Sequence, residues 1–499
     1  MTGKPRTRAA SPRGGGGGSA EFSCDLTARA HPLPHFWEHT VGSGHALLGL
    51  RADWQEQMTR CHRELGFRHV RFHGLLSDDV GTLVCEMNRP VYSFFNADRI
   101  WDFLLSIGMR PFVALSFMPE MLASGPTTVF HYRANVTPPR NLRKWETLIE
   151  RLVRHAIQRY GRDEVAQWPF EVWNEPNLKA FWTGSRLDYF RFYHATARAI
   201  KAVEPKIAVG GPATAMNAWI DEFLASCEKR KAPPDFVSTH HYPTDAFGKP
   251  GDDTVTQLSR SRRSVLREQA EEVRRKVPDK PLYYTEWSSS SNPFDELHDE
   301  PYAAAFAVKT VMEAAGVLDA YSWWTFSDIF EENYMTSVPF HGGFGLLTLH
   351  GIAKPVYRAF ELLHRLGTER LPVTGTHKTV DAWVTRHGEQ TTVVLTNWAL
   401  PRHPIRAETV KITLVGPGRP VQAVLERIDE DHANPRPLWI EMGRPTYPSA
   451  GQLEDLHAAS SLSSERLDVT ARSGATLFTV RMPPQSVASV TLSRRQGKK

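Results

Sequence analysis

Between residues 36 and 366 one pattern recurs: a short run of apolar or β-branched residues, then a longer segment whose apolar positions return every three to four residues. Eight such runs occur: Phe36 to Gly42, His69 to His73, Arg110 to Ser116, Phe170 to Trp173, Ile207 to Gly211, Phe236 to His240, Leu282 to Glu286 and Ala320 to Trp324. The segments between them read as amphipathic helices. In Ala97 to Gly108 one helical face carries Ile100, Phe103, Leu104 and Ile107. In Asn141 to Tyr160 it carries Trp145, Leu148, Ile149, Leu152, Val153 and Ile157. Strand then helix, eight times over, has the length and rhythm of an α/β fold of the (β/α)8 TIM-barrel type. An open doubly wound sheet competes, but neither a G-x-G-x-x-G turn nor a G-x-x-x-x-G-K-[ST] loop occurs, so a nucleotide site has no motif behind it.

After the helix-like Val356 to Leu366 the period changes to that of strands. They are Val380 to Arg386, Thr391 to Asn397, Thr409 to Val415, Ala423 to Ile428, Ala475 to Arg481 and Ser486 to Leu492, with turn residues between them. This predicts an accessory C-terminal β-sandwich over residues 367–499, with a helical insertion near Gly451 to Ala459. The barrel is expected over 35–366. Residues 21–34 precede its first strand and are expected to pack on the sandwich. Residues 1–20 are Gly, Arg, Ser and Pro with almost nothing apolar to bury, and are expected to form a flexible tail.

The net charge of +5 changes meaning once it is located. Of 60 basic residues, eight lie at the two ends (Lys4, Arg6, Arg8, Arg13, Arg494, Arg495, Lys498 and Lys499), leaving 52 against 55 acidic residues in the body. A slightly acidic body argues against a nucleic-acid partner. No apolar stretch approaches the roughly 20 residues of a membrane span, and the Gly-rich opening has no export-signal core, so a cytoplasmic location is expected. Cys24, Cys61, Cys85 and Cys227 are too dispersed for a Cys-x-x-Cys site and read as thiols.

In a barrel the chemistry gathers at the carboxyl ends of the strands. Two of those ends carry glutamates: Glu175, in Trp173-Asn174-Glu175-Pro176 after the fourth run, and Glu286, in Tyr284-Thr285-Glu286-Trp287 at the seventh. Strands four and seven face each other across the mouth, as two carboxylates must to flank one glycosidic bond. Either glutamate alone would read as solvated or helix-capping. Asn174 offers an amide to a sugar hydroxyl or to the opposing carboxylate, while His240, Tyr242 and Tyr284 offer polar tips. Trp287 and Trp324, with Trp182 and Trp323 behind them, are candidate stacking surfaces for a pyranose; the competing reading is core filling. His73 at the end of the second run, Asp78 and Asp79 after it, and Phe330, Glu331 and Glu332 after the eighth complete the candidate pocket, with either acid of each adjacent pair able to face the sugar. His73, His240 and His241 lack metal-binding spacing, and the two-carboxylate reaction needs neither metal nor cofactor, so none is expected.

These segments, together with Arg71-Phe72-His73-Gly74-Leu75-Leu76-Ser77-Asp78-Asp79, Ser238-Thr239-His240-His241-Tyr242, Trp324-Thr325-Phe326-Ser327-Asp328-Ile329-Phe330-Glu331-Glu332 and Phe340-His341-Gly342-Gly343-Phe344-Gly345-Leu346, resemble glycoside hydrolase family 39, nearest to its bacterial β-xylosidases. The similarity runs in order from about residue 36 to 366. The resemblance implies Glu175 as general acid/base, Glu286 as nucleophile, and a retaining exo-acting enzyme that releases xylose from xylo-oligosaccharides. It leaves open arabinoside, iduronide or exopolysaccharide substrates, a non-catalytic sugar-binding protein on the same scaffold, and a homo-oligomeric state.

Overall fold

The structure is a computed structural model that describes residues 19–87, 89–245, 251–332, 334–416, 421–472 and 474–494. The tail expected over residues 1–20 lies, up to residue 18, outside the described residues.

Eight parallel strands form one sheet: β1 (Thr40–His45), β2 (His69–His73), β3 (Arg110–Ala114), β4 (Phe170–Glu171), β5 (Val209–Thr214), β6 (Phe236–His240), β7 (Leu282–Trp287) and β8 (Ala320–Trp323). Each pairs with its neighbours in sequence order, and the two ends of the sheet meet, with Phe326 N–H donating to the Gly42 carbonyl at 3.0 Å. Gly42 makes that closure possible. A Cβ there would lie 2.6 Å from the Trp324 ring and 2.9 Å from the Trp323 carbonyl oxygen. The outer ring is α1 (Ala52–Leu65), α2 (Phe95–Ser106), α3 (Leu142–Tyr160), α4 (Arg186–Val203), α5 (Ile220–Lys229), α6 (Val265–Lys276), α7 (Pro301–Ala314) and α8 (Pro355–His364). Asn141 caps α3 by accepting from Lys144 N–H, and Ser185 with Asp188 forms a capping box on α4. Phe112, Phe236 and Tyr283 fill the barrel floor and so leave the upper mouth for polar groups.

The first strand departs from the expected run. Phe36–Glu38 is a single 3-10 turn and the strand itself is Thr40–His45, because Phe36 and Trp37 serve as buried plugs while Gly42 and Gly44 admit Trp324 and Phe330 against the strand. The fifth strand is likewise displaced toward its carboxyl end.

The remaining chain forms two sheets of five and seven strands around a shared core that includes Phe22, Val384, Leu395, Ile412, Leu425 and Val490. Ser19–Asp25 runs parallel to Glu408–Val415, and His31–Pro32 pairs with Glu369–Leu371 in the other sheet. Helix α7 is buried on nearly every side. Its outer face meets Trp398 of the sandwich through Tyr302 and Phe306, and Arg263 binds Asp381 across the same junction at 2.6 Å. The helical insertion comprises Arg436–Glu441 and Ala450–Ala459, and it packs Trp439 and Leu456 on Phe340 and Ile352, behind the segment after β8. No helix among the described residues is long and apolar enough to cross a membrane.

Candidate active site

At the carboxyl ends of β4 and β7, carboxylate oxygens of Glu175 and Glu286 and a ring nitrogen of His240 all lie within 4.8 Å of one another. Backbone irregularity delivers both acids. Strand β4 is only two residues long, after which Trp173 and Glu175 take left-handed φ values of 76° and 45°. Such a conformation costs on the order of 1–3 kcal/mol per residue and persists where packing over-determines it. Here the Trp173 indole donates to the Phe181 carbonyl at 2.8 Å, and Glu175 N–H donates to the Ala213 carbonyl at 2.8 Å. On β7, a register irregularity between Tyr284 and Trp287 turns both Thr285 and Glu286 inward.

Arg71, fully buried on β2, organises the charges. It donates to Glu171 at 2.6 Å and to the Asn174 side-chain oxygen at 2.7 Å, and it approaches Glu286 at 3.5 Å. Asn174 is thereby oriented with its amide N–H2 left to donate elsewhere. Glu171 is held as an acceptor, and from it the hydrogen bonds run in one direction. Thr285 O–H donates to Glu171 at 2.7 Å. With that proton committed, Thr285 Oγ1 accepts from His240 Nε2–H at 3.2 Å. Burial pushes His240 down to about 4, so its ring is neutral near pH 7 and Nδ1 carries a lone pair. That lone pair faces Glu175 Oε1 at 3.0 Å and calls for a proton on Glu175.

The electrostatics agree. Burial pushes Glu175 up to about 8, with Arg71 opposing and Glu332 adding to the rise. Burial also lifts Glu286, to about 7, but Arg71 and the Tyr242 hydroxyl, which donates at 2.5 Å, favour its ionised form. One carboxyl protonated and its neighbour ionised is what two acids at this spacing can use to protonate a leaving oxygen and attack from the opposite side. Glu175, His240 and Glu286 are also close enough to be drawn together by a divalent ion, but the Arg71 guanidinium already supplies a positive charge beside Glu286.

A second polar layer lies beside the first. His73 Nε2 meets Glu332 at 2.6 Å, and His45 meets Glu331 at 2.7 Å and Asp79 at 3.3 Å. Burial lifts Glu332 to about 8. Trp324 lies against His73, with the Arg71 guanidinium 6.0 Å from its ring centroid, and Phe330 meets it edge-on. Of each adjacent acid pair, Glu332 is the deeper. Asp79 joins the wall, while Asp78 turns outward to accept Glu120 N–H at 3.0 Å.

Several sequence candidates lie elsewhere. Tyr284 and Trp287 are on the helix side of β7: Tyr284 packs on His241, and Trp287 stacks on Tyr321 at 3.9 Å and meets Phe306 of α7. Neither can contact a sugar in the mouth. The cause is the alternation of a strand, whose phase the irregularity at Thr285–Glu286 shifts. Trp323 and Trp182 are likewise core residues, leaving Trp324 as the one of the four tryptophans that faces the mouth. Asp328 is also turned away, bound with Asp299 to the buried Lys354, each at 2.7 Å. Sequence reasoning passed over Arg71, Glu171, Thr285, His45 and Tyr132 as site residues. For Arg71 and Glu171 a signal existed, since each places a charge in the middle of an apolar strand.

A family model described as glycosyl hydrolases family 39 matches residues 23–475. A β-xylosidase of Caldicellulosiruptor saccharolyticus is 46% identical over 93% of this chain and 96% of its own. Another from Geobacillus stearothermophilus is 38% identical over 85% and 86%. The crystal structure of a monomeric β-xylosidase from Caulobacter crescentus CB15 superposes with a TM-score of 0.84 at 33% identity, covering 96% of this chain and all of that one.

Proposed function

We propose, on the premise that the chain belongs to glycosyl hydrolases family 39, that it is a retaining, exo-acting β-xylosidase that releases xylose from the non-reducing ends of xylo-oligosaccharides by double displacement. Glu286 is the nucleophile and Glu175 the general acid/base. The observation that supports the roles is the hydrogen-bond chain from Glu171 through Thr285 and His240, which calls for a proton on Glu175, while Tyr242 and Arg71 favour the ionised form of Glu286 against its burial. In the first step Glu286 attacks the anomeric carbon as Glu175 gives its proton to the departing oxygen. In the second Glu175, now a base, takes a proton from water, which displaces the glutamyl ester.

Identity to β-xylosidases over most of the chain supports xylose as the glycone. The charges of the site support a neutral sugar. Arg71 is already committed to Glu171, Asn174 and Glu286, and Glu331 and Glu332 stand in the pocket wall, so a uronate on this side would meet acids. Trp324 offers an indole face to the apolar side of the ring. Glu286→Ala should abolish turnover of nitrophenyl β-xyloside and regain part of it with azide, giving the inverted glycosyl azide. Undiminished activity, or hydrolysis of the native substrate with inversion at the anomeric carbon, would remove the assignment.

A further inference from the structure

We propose that the short hairpin between β3 and α3, in which Thr128 pairs with Asn135 and Val129 with Ala134, makes the site exo-acting, with Tyr132 as the specificity-determining residue that ends the cleft after one glycone ring. This rests on the glycosidase reading above and adds the element that limits chain length.

From the hairpin, side chains reach across the barrel mouth to three other strand ends. The Tyr132 ring lies flat on His45 of β1, with centroids 3.9 Å apart and planes within 1°. Its hydroxyl is 3.3 Å from Nδ1 of His73 on β2, whose other nitrogen holds Glu332. Phe130 stacks on His73 and packs against Phe117 and Phe181. His131 sits 3.9 Å from Glu331 and lies tilted against Tyr334, with ring centroids 4.8 Å apart, both in the segment after β8. The hairpin therefore bridges one whole side of the mouth.

Behind this wall lies a groove of about 850 Å³, lined by Asp78, Glu120, Thr128, Asn135 and Arg140 and sharing Tyr132 with the wall. Its donors and acceptors are those a second pyranose would use, and its volume admits one. Asp79 lines this groove as well as bonding to His45, so one layer of side chains separates the space from the polar residues around Glu332. A glycan extending beyond the glycone on this side meets the Tyr132 ring, and the terminal residue is then the only one that fits.

The test uses xylopentaose labelled at its reducing end, incubated with the full-length chain, with Tyr132→Gly, and with a variant in which an Asn-Gly turn replaces residues 129–134 between the paired Thr128 and Asn135. The wild type is expected to release xylose alone, so that each labelled product is one ring shorter. Both variants are expected to release xylobiose as well, raising the xylobiose-to-xylose ratio of the first products by at least about tenfold, the factor that about 1.4 kcal/mol in the transition state confers. Circular dichroism and thermal melting report folding. If loss of Phe130 unfolds the shortened chain, Tyr132→Gly, which keeps it, decides the matter. Xylose as the sole first product of folded Tyr132→Gly overturns the proposal. So does xylobiose released by the wild type, or a folded variant without turnover of either the pentaose or nitrophenyl β-xyloside. A wild type inert toward every xyloside would instead overturn the underlying substrate reading.

Discussion

Thr285→Val removes one hydroxyl, keeps the outline of the side chain, and probes the proton that catalysis needs. In the wild type, Thr285 gives its proton to Glu171 at 2.7 Å and accepts from His240 Nε2–H at 3.2 Å. With valine, that N–H is buried without an acceptor, at a cost of about 1–3 kcal/mol. The neutral imidazole escapes this cost by carrying its proton on Nδ1, which then donates to Glu175 Oε1 across the same 3.0 Å. A hydrogen bond to a charged acceptor contributes about 1.5–3 kcal/mol, and 1.36 kcal/mol corresponds to one pKa unit. Glu175 should therefore fall by about one to two units from its value of about 8. The sign follows from its role: kcat/KM requires Glu175 protonated, so a lower value pulls the basic limb of the pH profile down by the same amount. Because Glu175 then reaches or passes below the value of about 7 held by Glu286, the bell narrows from its basic side and loses height, since fewer molecules carry the proton on Glu175 and the charge on Glu286 together. The assay is kcat/KM for nitrophenyl β-xyloside between about pH 4 and 10, for wild type, Thr285→Val and Thr285→Ser. Serine restores the hydroxyl and should restore the limb. A basic limb that does not move in folded Thr285→Val, or that moves equally in the serine variant, would refute the hydrogen-bond chain as the source of the proton.

Tyr242→Phe acts on the other acid. Loss of the donor 2.5 Å from Glu286 should raise that carboxyl above about 7, so that the acidic limb moves up toward the basic limb set by Glu175 at about 8 and the profile loses height, as the same pH series would show. Glu175→Gln should lower kcat/KM for xylobiose by roughly 10²–10⁴-fold and that for an aryl xyloside with a strongly acidic phenol far less, because in the first step only the former needs its leaving oxygen protonated, whereas kcat falls for both as the second step loses its base; steady-state kinetics across leaving groups would test it. Lys354→Met should destabilise the fold by about 3–5 kcal/mol, measured by denaturant unfolding, since Asp299 and Asp328 would be left buried without their shared cation. Glu286→Ala with azide, described above, completes the set.

What the sequence determined by itself was whatever is written in local periodicity. The eight runs alternate with helices because a strand reads at period two and a helix at 3.6. The six sandwich strands from Val380 onward were readable to within about two residues, the usual fraying of element ends. Glu175 and Glu286 stood out because each ends an apolar run. The tertiary structure decided the rest, because inward and outward faces and partners distant in sequence leave no local mark. A single irregularity on β7 sent Glu286 to the mouth while Tyr284 and Trp287 went to the helix layer. Asp328, in the same segment as the pocket acids Glu331 and Glu332, is instead a partner of Lys354. Ser19–Asp25 found its place beside Glu408–Val415, and Arg71 met Glu171 and Glu286 only once the barrel closed. Such pairings are selected by burial: an ion is tolerated in the core only where its counter-charge arrives, and that arrival depends on the whole fold.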